Sequence, residues 1–210
     1  MPSRVTKSDK RTRIINAALT VFSRDGFQNS KIEDIARAAD IGKGTLYEYF
    51  SSKDELFLEV FTSFKESVLS KYWVVLDDGD DPLSQLKMMA IICAEICADE
   101  KTEMKFLAQF SFECLSRKEG NKLSELLNEY NEEIAALISG IIKEGIEDGL
   151  LKPLDVAILS KNYADALFGM LMRYQLSGDK ISLLASSQLL FDVFLKGAGT
   201  FSGRYVDRKE

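Results

Sequence analysis

The stretch SKIEDIARAADIGKGTLYEYFSSKDEL, from Ser30 to Leu56, decides how this chain is organised. Its first part has apolar residues at three- and four-residue steps, which predicts a short helix that opens at Ser30. The segment AADIG supplies a tight turn, in which Asp40 tolerates an unusual φ and Gly42 stands at the N-cap of a second short helix. That helix runs through Tyr49. Two short helices joined in this way are typical of the helix-turn-helix, whose second helix enters the major groove of DNA.

Two capping boxes mark helix starts in this stretch. Ser30 precedes Glu33 by three residues, and Ser52 precedes Glu55 by the same spacing. In a capping box the hydroxyl and the carboxylate satisfy backbone amides that the start of a helix leaves free. The pattern therefore predicts one helix opening at Ser30 and a long helix opening at Ser52.

The letters GKGT, from Gly42 to Thr45, also match the end of a phosphate-binding loop, which would make this chain a nucleotide-binding protein. Such a loop needs an earlier glycine and a preceding buried strand. Arg37 stands where the earlier glycine belongs, and the segment before Gly42 has a helical period. The surroundings of GKGT therefore favour the helix-turn-helix.

The rest of the chain has a helical period wherever a period is clear. Gly26 predicts the end of a first helix, because glycine accepts a positive φ. Asp77–Pro82 predicts a solvated turn in which Asp81 caps and Pro82 opens the next helix; as a calcium loop it lacks the remaining ligands. Further helices are predicted at about 83–99, 102–117, 121–149, 154–176 and 181–197.

The predicted fold class is all-α. Residues 1–53 form an N-terminal three-helix helix-turn-helix DNA-binding domain. Residues 54–210 form a larger C-terminal helical domain for effector binding and dimerisation, and helix 54–76 connects the two.

Composition excludes several classes of protein. The 210 residues contain no histidine, so neither a Ser-His-Asp site nor a histidine-based zinc site can be built. No other catalytic or metal-binding motif appears, and we expect neither an enzyme nor a metal or cofactor site. No apolar run is long enough to span a membrane, and the basic N-terminus leads into no signal core, which predicts a cytoplasmic protein. Three cysteines suit a reducing compartment.

Charge is distributed unevenly. Residues 1–53 hold ten Lys/Arg against six Asp/Glu, a balance of +4, although the whole chain has a net charge of −6. A basic head on an acidic body suggests that the head meets a polyanion. A chance fluctuation explains the same numbers, so charge alone does not decide.

The segments RIINAALTVFSRDGF and SKIEDIARAADIGKGTLYEYFSSKDEL, with the long helix that follows, resemble the DNA-binding domain of the TetR/AcrR family of transcriptional regulators. The resemblance extends from about Lys10 to Phe64. It implies a homodimeric, all-helical regulator whose first three helices bind a palindromic operator in double-stranded DNA. It also implies a C-terminal domain that binds a small effector and then loosens the grip on DNA.

The resemblance carries DNA-binding roles onto eight residues. Ser30 takes the position of a hydroxyl that touches a phosphate. By the same resemblance, four residues line the DNA groove: Lys43, Gly44, Thr45 and Glu48. Three residues clamp the DNA backbone: Tyr47, Tyr49 and Lys53. Packing of the tyrosines and solvent exposure of Lys53 are the alternatives.

The chain departs from the family pattern in its turn and recognition helix. Gly42 replaces the usual capping serine, which removes a cap oxygen, and Asp40 replaces the usual turn glycine. Glu48 lies among positions that face phosphates, so it repels them unless it accepts from a cytosine amine; solvent exposure is the alternative.

Soft and aromatic residues in the central helices are the candidates for effector binding. Methionine, cysteine and aromatic side chains adapt to irregular apolar ligands, although the same residues also suit an ordinary core. The candidates are Phe106, Phe110, Tyr130, Met89 and Cys93. Cys93 and Cys97 share one helical face, where a thiol sensor is conceivable and two buried small hydrophobes are the alternative.

The last two helices are apolar on more than one face, as buried helices are. By resemblance they pair across a two-fold axis as a four-helix bundle; packing within one chain is the alternative. The dimerisation candidates are Tyr163, Leu167, Met170, Leu171, Tyr174, Leu190 and Phe194.

The sequence thus predicts a ligand-responsive transcriptional repressor that a small, largely apolar effector releases from a palindromic operator. The alternative is a helical small-molecule-binding protein or enzyme whose DNA-binding-like head is not used. The sequence names neither the effector nor the operator.

Overall fold

A computed structural model of the chain describes residues 7–76, 81–99, 101–118, 120–177 and 182–200. These residues form helices and the turns between them, together with one isolated antiparallel bridge between Leu151 and Gly199. The helices are α1 (Lys7–Asn29), α2 (Ile32–Ala38), α3 (Lys43–Tyr47), α4 (Lys53–Leu76), α5 (Pro82–Asp99), α6 (Lys101–Ser116), α7 (Lys122–Glu147), α8 (Val156–Ser177) and α9 (Leu183–Ala198). The prediction of an all-α fold is confirmed.

The start of α5 has the predicted capping. One carboxylate oxygen of Asp81 accepts from the amides of Leu83 and Ser84, at 3.0 and 3.2 Å, and Pro82 is the first helical residue. Residues 77–80 of the predicted turn lie outside the described part of the chain.

Gly26 interrupts α1, as its position in the sequence predicts. Its φ is +74°, outside the helical region, although helical geometry resumes and α1 continues to Asn29. A Cβ atom at position 26 would also meet Gln109 Oε1 at 3.2 Å. Both the positive φ and the close approach of α6 therefore favour glycine.

The capping box predicted at Ser30 is wrong, whereas the one at Ser52 forms. Lys31 is the N-cap of α2, with no hydrogen bond from a side chain, because the Ser30 hydroxyl instead donates to the carbonyl oxygen of Phe27 at 2.8 Å. At the start of α4, Ser52 Oγ accepts from the amide of Glu55 at 3.0 Å, and the Glu55 carboxylate accepts from the amide of Ser51 at 2.7 Å.

The described helices group into two compact units. The first contains α1, α2, α3, α4 as far as Val68, α6, and α7 as far as Asn128. The second contains α4 from Leu69, α5, α7 from Glu129, α8 and α9. Packing therefore groups α6 with the N-terminal helices. The predicted boundary between a DNA-binding domain and an effector-binding domain, at residue 53, stays a prediction.

An aromatic core holds the first unit together. The ring of Phe57 on α4 lies 5.0 Å from Phe22 and 4.7 Å from Phe27, both on α1. The same ring lies 5.2 Å from Phe106 and 5.1 Å from Phe110, both on α6. Because Phe57 touches all four rings, α1, α4 and α6 share one core, and aromatic pairs at these distances add to the energy of apolar burial.

Candidate nucleic-acid interface

The turn between α2 and α3 sets the position of the candidate recognition helix. Asp40 has a φ of +54°, as the turn predicts, and the amide of Ile41 donates to the carbonyl oxygen of Ala36 at 3.0 Å. Gly42 has extended backbone geometry and is the N-cap of α3. Leu46 is fully buried and anchors α3 against the domain. The opposite face of α3 is therefore free to meet a ligand.

The solvent-facing side of α3 carries the predicted groove residues. Lys43, Gly44, Tyr47 and Glu48 are exposed, and Thr45 is half-buried. Among the described residues, no atom beyond the neighbouring helix backbone comes within 4 Å of the position that a Cβ of Gly44 would occupy. The structure thus brings these five residues to one exposed surface, although α3 ends at Tyr47 and Tyr49 lies in the turn beyond it.

An ion pair joins Lys43 to the preceding helix. The Lys43 ammonium lies 2.6 Å from the Glu33 carboxylate and 6.0 Å from the ring of Tyr47. Hydrogen bonding and charge attraction within the pair raise the pKa of Lys43 and lower the pKa of Glu33. Lys43 therefore has a partner within the protein, although both side chains are about half exposed.

Glu48 faces basic residues at the start of α1. An open cleft is lined by Lys7, Lys10, Glu48 and Tyr49, and the Lys7 ammonium lies 5.9 Å from the ring of Tyr49. Two lysines beside Glu48 offset the negative charge that it brings to this surface. Lys7 and Lys10 are absent from the residues predicted for DNA binding, although the basic run at the N-terminus was a signal for them.

Lys53, at the start of α4, is partly withdrawn from solvent. Its ammonium donates to the carbonyl oxygen of Ser30 at 2.8 Å and lies 4.5 Å from the ring of Phe27. Burial lowers the pKa of Lys53, and the nearby carboxylates of Asp54 and Glu113 oppose that shift. Ser30 itself is buried. The phosphate contact predicted for Ser30 stays a prediction. Its hydroxyl already donates to the carbonyl oxygen of Phe27 and would have to exchange that acceptor for a phosphate.

The predicted effector residues divide between the two units. Phe106 and Phe110 belong to the aromatic core of the first unit and are fully buried; the ring of Phe110 stacks on that of Phe61 at 3.9 Å. These contacts are those of an ordinary core, the alternative left open by the sequence. Their role in effector binding stays a prediction.

Met89, Cys93 and Tyr130 are buried in the second unit. Cys93 lies beside Tyr72, which is also buried and was not among the predicted residues. Burial, with a contribution from Cys93, raises the pKa of Tyr130, so its hydroxyl stays protonated. The interior of this unit therefore combines apolar side chains with neutral hydroxyl and thiol groups. The side chain of Cys97 lies outside the described part of the chain.

The predicted dimerisation residues differ in exposure. Three of them are buried within the second unit: Tyr163, Leu167 and Leu171. The Tyr163 hydroxyl donates to the carbonyl oxygen of Leu86 at 2.9 Å, which is a contact within one chain. The others are half-buried: Met170, Tyr174, Leu190 and Phe194. Two neighbouring residues outside the predicted set, Leu189 and Val193, expose 62% and 59% of their surface on α9.

Comparison with known proteins identifies this arrangement of helices. Residues 14–60 match the family model described as bacterial regulatory proteins, tetR family. The resemblance to the TetR family that the sequence indicated is confirmed. The matched residues contain most of α1, all of α2 and α3, and the start of α4, which are the helices that build the exposed surface described above.

Similar proteins extend the likeness over most of the chain. The transcriptional repressor KstR2 of Rhodococcus jostii is 24% identical over 192 residues, covering 91% of this chain and 92% of KstR2. A putative transcriptional regulator from Saccharomonospora viridis, solved with choline, has a TM-score of 0.82 at 19% identity and covers 93% of this chain and 100% of that one. FadR of Bacillus subtilis, solved with stearoyl-CoA, has a TM-score of 0.74 at 20% identity and covers 89% and 98%.

The described residues contain neither a membrane-spanning helix nor a metal-binding cluster. Within them, no helix combines the length and apolarity needed to cross a bilayer. Nor do three or more carboxylate or thiol groups in the same part of the chain come together as a metal site.

Proposed function

We propose that this TetR-family regulator is a repressor that a small, largely apolar effector releases from a palindromic operator. The observation that carries the proposal is the exposed face of α3, where Lys43, Gly44 and Tyr47 point away from a helix anchored by buried Leu46. A short helix held by its inner face and preceded by a tight turn is suited to entering the major groove.

The proposed DNA contacts divide into base contacts and phosphate contacts. Lys43 and Thr45 are suited to base edges, the lysine to guanine and the threonine to the methyl group of thymine. Tyr47, Tyr49 and Lys53 are suited to phosphates, which position the protein on the duplex. Lys7 and Lys10 add positive charge on the same unit and join the proposed phosphate contacts.

The proposed effector site lies in the second unit. Met89, Cys93 and Tyr130 are buried there, and thioether, thiol and aromatic side chains suit a largely apolar effector. FadR, to which the chain is similar, was solved with stearoyl-CoA, a thioester with a long apolar chain. A regulator of similar fold was solved with choline, which is a cation. The proposal of a largely apolar effector for this chain therefore rests on its own buried residues Met89, Cys93 and Tyr130.

Two copies of the chain are needed for a palindromic operator. The recognition helices of a dimer must lie about one turn of DNA apart to meet both half-sites. We propose that α8 and α9 supply the contact between copies, through half-buried Phe194 and exposed Leu189 and Val193. An effector that favours a different separation of the recognition helices then weakens DNA binding by its differential affinity for the two states.

We place this regulator in the cytoplasm, where the chromosome is accessible to it, and we assign it no enzymatic activity. The similar protein KstR2 is named a transcriptional repressor, and repression is adopted here on that basis.

Binding to a duplex taken from the region upstream of the protein's own gene tests the proposal. The affinity is expected to fall steeply as salt rises, because each phosphate contact releases counterions. A scrambled duplex of the same composition is the control, and it should bind more weakly at every salt concentration. Lack of binding to either duplex at low salt contradicts the proposal and favours a helical small-molecule-binding protein whose head is not used.

A further inference from the structure

A buried carboxylate in the first unit contacts the C-terminal end of α1, one of the proposed DNA-binding helices. Glu113, near the end of α6, is only 3% exposed. Both of its carboxylate oxygens accept from the Gln28 amide on α1 at 3.1 Å, and Arg117 Nε lies 3.4 Å away. An ionised group this deeply buried is costly unless it is paired and hydrogen-bonded, and these contacts meet that requirement.

The ring of Phe27, the neighbour of Gln28 in α1, contacts two cations. The Lys53 ammonium is 4.5 Å from the centre of its ring, and the Arg117 guanidinium is 4.8 Å from the same point. Arg117 also donates to the Asp54 carboxylate at 2.7 Å, which ties α6 to the start of α4. Cations are attracted to the face of an aromatic ring, so the ring fixes both side chains.

Lys53 keeps hydrogen-bonding capacity in this position. Its ammonium donates to the carbonyl oxygen of Ser30 at 2.8 Å and lies 3.5 Å from that of Gln28. A lysine ammonium has three donors, so one remains for a phosphate. The side chain is therefore ordered before DNA arrives.

We propose that Glu113 is a positioning residue for the phosphate contact of Lys53, which it holds through Gln28, Arg117 and the ring of Phe27. This inference rests on the proposed function, since it assumes that Lys53 meets DNA. Glu113 contacts both Gln28, which follows Phe27 in the chain, and Arg117, whose guanidinium lies over the Phe27 ring, and its negative charge compensates the partly buried ammonium of Lys53. Burial alone lowers the pKa of Lys53, and the Glu113 carboxylate opposes that shift.

The expected size of the effect follows from the cost of ordering a side chain on binding. Immobilising one flexible side chain at an interface lowers affinity by a factor of about two to ten. Without Glu113, the Lys53 side chain is ordered only when DNA binds, so the entropy cost of ordering it lowers the affinity for DNA. We therefore expect Glu113→Gln, which keeps the volume and removes the charge, to weaken binding about three- to tenfold.

A double-mutant cycle between positions 113 and 53 tests the inference. The duplex from upstream of the protein's own gene is titrated with the wild type, Glu113→Gln, Lys53→Gln and the double variant. If Glu113 acts through Lys53, Glu113→Gln weakens binding in the wild-type background and has no further effect once Lys53 is replaced. Glu113→Asp, which keeps the charge, is expected to recover part of the lost affinity.

Glu103→Gln is the matched control, because it removes the same charge from the first turn of α6. Its affinity is expected to stay within a factor of about two of the wild type. Should Glu113→Gln fold poorly, Gln28→Met replaces it: Gln28 is exposed, and the change removes only the donor to Glu113.

The outcomes separate the two proposals. Equal losses of affinity in both backgrounds assign Glu113 a structural role and overturn the inference, and so does wild-type affinity of Glu113→Gln. Absence of binding by the wild type overturns the proposed function itself.

Discussion

The ammonium of Lys43, on the candidate recognition helix, lies 2.6 Å from the carboxylate of Glu33, on the helix before the turn. Both side chains are about half exposed, so water and salt weaken their attraction. DNA offers Lys43 a competing negative charge in the phosphates and competing acceptors in the base edges. If Lys43 contacts DNA as proposed, it must exchange the Glu33 carboxylate for a partner there, and we expect Glu33 to oppose indiscriminate binding.

Glu33→Gln is expected to raise affinity for a scrambled duplex about two- to fivefold, since the freed lysine gains a phosphate without losing a partner. Binding to the upstream duplex should improve less, so that discrimination between the two duplexes falls. Asp34→Asn is the control: it removes one charge from the same helix, where Asp34 pairs with Arg37 at 3.2 Å. Equal gains in affinity from both variants would show that net charge alone is responsible.

Gly44→Ala separates folding from DNA binding. A Cβ at this helical position meets nothing within 4 Å in the part of the chain that the structure describes, so the change should leave stability unchanged or raise it by up to about 1 kcal/mol. If the backbone of Gly44 approaches base edges, affinity for the upstream duplex falls about tenfold or more despite the gain in stability. Thermal melting and duplex titration measure the two effects.

Gly140→Ala on α7 is the matched control for this change. Gly140 is also helical and its added Cβ also meets nothing within 4 Å. It should show the same effect on stability and no effect on DNA binding. Unchanged affinity in Gly44→Ala would contradict a close approach of α3 to the bases.

The order and type of the helices could be predicted from sequence because local signals specify them. Asp81 and Ser52 each cap the helix that their spacing predicts, and Gly26 and Asp40 adopt the positive φ that their turns require. Such signals depend on neighbours within four residues. Ser30 shows their limit: its hydroxyl donates to the carbonyl oxygen of Phe27 and accepts from no amide of α2, whose N-cap is Lys31.

Contacts between distant parts of the chain could not be predicted in the same way. Phe106 and Phe110 match both a ligand pocket and a core, and only tertiary packing assigns them to the rings around Phe57. Glu113 was indistinguishable from a surface carboxylate, because its partner Gln28 lies 85 residues away in the chain. Helical periodicity identifies an apolar face without identifying what covers it.

Alkaline pH is expected to destabilise the second unit through its buried tyrosines. Burial raises the pKa of Tyr72, Tyr130 and Tyr163 above the ordinary value of about 10. Above that pH the unfolded chain loses protons that the folded chain keeps, so stability is complete below pH 10 and falls as pH rises beyond it. Each tyrosine contributes a slope of up to about 1.4 kcal/mol per pH unit.

Urea unfolding at a series of alkaline pH values measures this slope in the wild type and in Tyr130→Phe. The variant should lose stability less steeply, whatever its stability at neutral pH. Tyr47→Phe is the control, since Tyr47 is exposed and its replacement should leave the slope unchanged. Identical slopes in all three proteins would contradict protonation of Tyr130 as a source of the pH dependence.

Exposed apolar residues on α9 allow the proposed dimer contact to be tested without disturbing the core. Leu189 and Val193 lie four residues apart, on one side of the helix, and are 62% and 59% exposed. A carboxylate at either position faces water in a single chain but would be buried without a partner between two copies. Leu189→Glu and Val193→Glu should therefore shift the protein from dimer to monomer in analytical ultracentrifugation while leaving its helix content unchanged.

The same variants should bind the upstream duplex at least tenfold more weakly, because one chain meets only one half-site and loses the gain from linked binding. Leu115→Glu on α6 is the control, since Leu115 is 86% exposed and its substitution introduces the same charge on another helix. It should stay dimeric and bind DNA to within a few-fold of the wild type. A dimer that survives both α9 substitutions with its dissociation constant unchanged would exclude this face of α9 from the contact and leave the half-buried residues of α8 to supply it.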